Sequence, residues 1–160
     1  MPKVGFLMLL AFLVTACGAA EAVTPSPTEQ APVSAEVEIR ALVESFGTRL
    51  QEVSLLAPDT AEQIQEKYAG FVSEDLLAAW MAAPDKAPGR LVSSPWPDRI
   101  EIDSVVAQPD GSFLVTGSVI EITSTEVGTD QAAAEYPVEA TVSSVDGNWR
   151  ITNWVAGEYE

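Results

Sequence analysis

Histidine is absent from this 160-residue chain, and cysteine occurs once, at Cys17. A single thiol excludes an intramolecular disulfide framework. Without histidine or several thiolates the usual zinc ligand sets cannot form. Dehydratases and serine hydrolases that work through a histidine base are excluded for the same reason, and no Gly-x-Ser-x-Gly elbow is present. Basic residues are scarce too: eight Lys and Arg stand against 24 Asp and Glu, a formal net charge of −16. Phosphate backbones and anionic lipid headgroups both attract basic surfaces, so neither nucleic acid nor electrostatic membrane docking is expected. Acidity of this kind serves solubility and says nothing of fold. The Asp-Gly pairs at Asp110-Gly111 and Asp146-Gly147 lack the alternating ligands of a calcium loop. No metal and no cofactor are expected.

What is present begins at the N-terminus. Lys3 is followed by an apolar run from Val4 to Val14, then by the small residues Thr15 and Ala16. This is the layout of a secretory signal peptide, and the run is shorter than the about 20 residues a membrane-spanning helix needs. Val14-Thr15-Ala16-Cys17 resembles the bacterial lipobox, with Val14 where that motif most often has Leu. The resemblance implies removal of residues 1–16 and lipid attachment to Cys17. Two or more acyl chains hold a protein stably at a membrane, where one binds marginally. The expected address is the extracytoplasmic face of the cell membrane, or the outer membrane if the host has one, since no Asp follows Cys17.

Residues 17–35 hold the lipidated cysteine and a spacer rich in Pro, Ser and Thr, with Pro25, Pro27 and Pro32 and no apolar period. Residues 36–160 form the folded domain, long enough to build a core without staples. Ile39, Leu42, Val43, Phe46, Leu50 and Val53 recur at three- and four-residue steps, which predicts a helix from an N-cap at Ser34 to about Leu56. A second helix is expected from Asp59 or Thr60, where Asp59-x-x-Glu62 and Thr60-x-x-Gln63 offer capping boxes, to Gly70. A third is capped by Ser73 and stopped by Pro84.

The period then becomes two. The expected strands run over Ile100 to Gln108, Ser112 to Thr125, about Tyr136 to Val142, and Trp149 to Val155. Pro109-Asp110-Gly111 and Asp146-Gly147 supply the turns, and Gly117 suggests a bulge or bend in the second strand. Pro95 and Pro97 forbid a central strand in the 87–98 connector. Helices followed by strands mean α+β, with N-terminal helices packed on a curved antiparallel sheet.

That order of elements, closing on Gly147-Asn148-Trp149-Arg150-Ile151, resembles the NTF2-like superfamily over roughly residues 35–157. The resemblance implies a cone with a pocket between helices and sheet. A cystatin-like arrangement is the alternative, because no strand pair is evident between the helices. Tyr68, Trp80 and Tyr136 are candidate pocket or core aromatics. Trp96, between Pro95 and Pro97, either anchors a partner from an exposed loop or plugs the end of the core. Some NTF2-like domains are lyases or isomerases, which need a carboxylate base and a carbonyl-polarising acid. Asp103 and Tyr136 are the residue types for that work, but no motif assigns them to it, and no catalytic residue is expected. The leading expectation is a non-enzymatic, membrane-tethered domain binding a protein partner or a small apolar ligand. The alternative is a small lyase or isomerase in the same pocket. Pairing of two copies through the sheet face is a third expectation.

Overall fold

The computed structural model describes residues 31–159; the expected signal peptide and Cys17 lie outside the described residues. The period-two half forms four strands, β1 (Trp96–Ala107), β2 (Phe113–Ile122), β3 (Ala134–Val145) and β4 (Asn148–Ala156). They pair as an antiparallel meander in the order β1-β2-β3-β4. Val115, Val119, Tyr136, Val138, Ala140, Val142 and Ile151 are buried on the inward face, where they meet three helices, α1 (Ala31–Gly47), α2 (Thr60–Tyr68) and α3 (Glu74–Ala82). The fold is α+β, helices packed on one face of an open antiparallel sheet.

The turns form as their residues dictate. Asp146 and Gly147 both adopt positive φ, at 50° and 78°, which suits a two-residue hairpin between β3 and β4. The Asp110 carboxylate accepts from the Ser112 amide at 2.9 Å and its hydroxyl at 2.6 Å, closing the β1–β2 turn. Ser73 caps α3 by accepting from the Leu76 amide at 3.3 Å. The backbone of Phe71 to Ser73 pairs along the outer edge of β4 through Ile151, which covers part of that exposed edge.

Several boundaries differ from expectation. α1 covers Ala31–Gly47, so the helix reaches into the expected spacer and past Ser34. The helix ends at Gly47, not near Leu56. A Cβ on Gly47 would sit 2.7 Å from the Ile100 amide, so α1 passes hard against β1 here. A 3-10 turn over Leu50–Glu52 then keeps Leu50 and Val53 in the core. The expected capping boxes of α2 do not form. Asp59 makes no side-chain cap; its carboxylate instead accepts from Gln63 Nε2 at 3.0 Å, and the Thr60 hydroxyl turns to the carbonyls of Ser54 and Ala57.

The sheet differs in where it bends. The bulge expected at Gly117 lies opposite it, between Ile102 and Ser104 of β1. The Glu101 carbonyl comes so close to Gly117 that no Cβ fits there. Strand β1 starts at Trp96 and includes Pro97, which an edge strand permits. A further bulge, opposite Thr141 and Val142, shifts the register of β4 between Ile151 and Asn153. Trp154 therefore packs on the core and Val155 is exposed, the reverse of plain alternation. Bulges in both edge strands bend the sheet round the helices.

Candidate functional site

The centre of the domain is aromatic and filled. Phe46 is fully buried and packs against Tyr68 at 4.9 Å, Trp154 at 5.6 Å, Phe71 at 5.9 Å and Trp80 at 6.2 Å between ring centroids. Each such pair contributes roughly 0.5–1.5 kcal/mol beyond the area it buries. Tyr68 and Trp80 are thus core residues. The Tyr68 phenol donates to the Pro88 carbonyl at 2.8 Å, and burial pushes its ionisation well above the ordinary phenol range.

Space remains at the open end of the cone. A recess of about 370 Å³ lies between the 85–91 segment, Leu55, and the ends of β3 and β4. Tyr136, Trp154 and Tyr159 stand on its sheet side; Ala87, Pro88 and Leu91 stand on its helix side. Gly157 extends the β3–β4 pairing past Ala156 by donating to the Pro137 carbonyl at 2.8 Å, which carries the chain over to Tyr159. The Tyr159 ring meets the Tyr136 ring edge-on at 5.0 Å. Leu56, Leu91 and Val92 are exposed apolar side chains on neighbouring segments.

Two polar groups at this end stand out. The Trp154 indole N–H is buried with no hydrogen-bond partner among the described residues; an unmade buried bond costs about 1–3 kcal/mol. Glu121 is the other. Its position two residues past Val119 turns it inward, and it is 6% exposed. Its carboxylate accepts from the Tyr159 hydroxyl at 3.3 Å. Burial pushes the Glu121 carboxyl above its ordinary range, and the Tyr159 bond pulls part of the way back. Burial likewise raises Tyr136, with Tyr159 and Glu121 adding to the shift. Sequence reasoning missed both residues. The Val115, Val119, Glu121 alternation was the available signal for Glu121; the β4 bulge hid Trp154.

The residues singled out from the sequence divide. Tyr136, 8% exposed, belongs to both the core and the recess wall. Asp103 is exposed at the β1 bulge while Tyr136 faces inward, so the structure does not bring that pair together. Trp96 is not in a loop: it opens β1 opposite Ile122 and is half-buried. Arg99, outside that set, pairs with Asp98 at 3.0 Å. It also bonds Glu101 at 2.6 Å and reaches the Asp130 carbonyl at 3.4 Å, tying the 123–133 loop to β1 on the outer face.

A larger groove, about 490 Å³, opens where α3 begins, between Ser73, Asp75, Asp146 and Arg150. Unlike the recess, it contains no buried unpartnered polar group among the described residues. No group of three or more His, Cys, Asp or Glu among the described residues is placed to hold a metal ion. No helix among them is long and apolar enough to cross a membrane.

No family model matches the chain, and no curated protein matches it. Among solved structures it is similar to the intermembrane space region of the chloroplast protein ARC6, with 21% identity and a TM-score of 0.42 over 78% of this chain and 94% of that one.

Proposed function

We propose that this chain is a lipoprotein held outside the cytoplasmic membrane by a lipid on Cys17, and that its domain binds a ligand at the open end of the cone without transforming it. The observation that carries the binding site is the recess itself. It is walled by Tyr136, Trp154 and Tyr159 and borders a buried indole donor that lacks a partner. Concave sites with mostly apolar walls and a few convergent polar groups are the usual form of ligand sites. The filled aromatic core speaks for binding at the rim rather than enclosed chemistry further in. The tether rests on the order of residues from Lys3 to Cys17 and on the stability that double acylation gives.

NMR of the ¹⁵N-labelled chain from residue 17 with Cys17→Ser, titrated with extract of the host envelope, tests the site. The Trp154 indole resonance and the amides of Gly89, Ala156 and Gly157 are expected to shift. Shifts confined to outward-facing residues such as Thr116 and Thr141 would overturn the site and favour pairing of two copies through the sheet.

One observation favours an isomerase or lyase instead: Glu121 is a carboxyl with raised ionisation beside two phenols. Such groups cluster at catalytic sites. Glu121 is turned to Tyr159, however, and does not line the recess. Glu121→Gln separates the readings, since it would abolish acid–base turnover while leaving the recess and its ligand contacts in place.

A further inference from the structure

The polar side chains on the walls of the recess are Asp85, Lys86, Tyr136, Trp154 and Tyr159. Asp85 and Lys86 pair with each other at 3.4 Å, so the wall carries no net charge. The Tyr159 hydroxyl donates to Glu121. The two that remain both offer donors. The Trp154 indole N–H is buried without a partner among the described residues, and an indole N–H can only donate. The Tyr136 hydroxyl makes no hydrogen bond among those residues either, yet it is not sealed from solvent. Burial of its ring holds this phenol in the protonated form, which donates. The rest of the wall is largely apolar, with Leu55, Ala87, Pro88, Leu91 and Ala156.

We propose that the recess takes an uncharged molecule with an apolar body and a carbonyl oxygen, a ketone, ester or amide, whose oxygen accepts from the Tyr136 hydroxyl. This rests on the open end of the cone being a binding site at all. The Trp154 N–H, which water does not reach, is a second donor on the same wall, and it gains more from an acceptor because its bond is unmade. A pure hydrocarbon would fill the apolar walls and leave both donors unmet. A carboxylate would also accept, but it would enter against the field of a chain with 24 acidic and eight basic residues, with no unpaired cation on the wall to receive it. Tyr136 is the residue to vary. Tyr136→Phe keeps the ring in the core and removes only a hydroxyl that has no protein partner among the described residues, so the domain stays folded.

The experiment compares cyclohexanone, its hydrocarbon isostere methylenecyclohexane and cyclohexanecarboxylate by NMR titration of the chain from residue 17 with Cys17→Ser. Cyclohexanone is expected to bind roughly 2- to 10-fold tighter than methylenecyclohexane, the range that one hydrogen bond supplies. Tyr136→Phe should erase that preference while leaving binding of the hydrocarbon and the far-UV circular dichroism unchanged. Equal binding of ketone and hydrocarbon would overturn the acceptor assignment and leave the site standing. A ketone preference that survives Tyr136→Phe would place the oxygen elsewhere and overturn the proposal. Tighter binding of cyclohexanecarboxylate than of the ketone would overturn the uncharged class. No shift of the Trp154 indole or of Gly89 with any of the three would bring down the assignment and the site together.

Discussion

Tyr159 and Glu121 are 38 residues apart, yet the Tyr159 hydroxyl donates to the Glu121 carboxylate at 3.3 Å. The contact closes the end of the sheet. It joins the segment after β4 to the last inward-facing residue of β2 and sets the Tyr159 ring against Tyr136. A carboxyl in this position is largely desolvated, and one hydroxyl does not fully compensate.

Glu121 should therefore make stability fall as pH rises. Its folded ionisation lies above the ordinary carboxylate range, so the folded state holds the proton more tightly than the unfolded state. The contribution is fully present below the ordinary range and is lost as pH rises through the raised folded value. Thermal unfolding of the parent chain and Glu121→Gln across acid to neutral pH isolates the effect. The variant should gain on the parent as pH rises, with the gap closing in acid. A parent that gains on the variant over that window would contradict the assignment.

Gly117→Ala should destabilise the fold by about 1–3 kcal/mol, the usual cost of forcing atoms into a packed interior. The added Cβ runs into the backbone carbonyl of Glu101, which cannot rotate away as a side chain would. Gly70→Ala is the matched control, because nothing lies within 4 Å of a Cβ there; it should stay within about 0.5 kcal/mol of the parent. Denaturant unfolding of the two variants measures both. Equal midpoints would remove the close approach of β1 to β2 at Gly117.

Tyr68→Phe should cost about 1–3 kcal/mol, because it strands the Pro88 carbonyl that the phenol now satisfies. It should also loosen one wall of the recess. Amide hydrogen exchange at Gly89 and Arg90 is expected to speed up, while exchange within β2 and β3 is unchanged. Uniform acceleration throughout the domain would mean that the hydroxyl has no local role.

Much of this fold was legible in the sequence because local rules agreed with tertiary ones. Ser73 caps α3, the Asp-Gly pairs turn the chain, and the meander follows the alternation of apolar residues. The errors come from places where a distant contact decides. At Gly47, where α1 ends, Ile100 comes too close for a Cβ, and no periodicity within the helix announces a strand 53 residues on. The extra residue in β4 reverses every side chain after it, so Trp154 faces inward where simple alternation exposes it. The candidate site suffers from both effects. Tyr136 was visible as an inward aromatic, but Glu121 reads as an ordinary strand carboxylate until the sheet and the segment after it close around its side chain.

The proposed tether at Cys17 carries the account of where this domain works, and intact-mass analysis of protein extracted from host membranes tests it most directly. The account predicts a species that begins at Cys17 and carries two or three acyl chains, replaced by an unlipidated, membrane-free product in Cys17→Ser. A soluble product beginning at another residue, with no lipid mass and unaffected by Cys17→Ser, would contradict it.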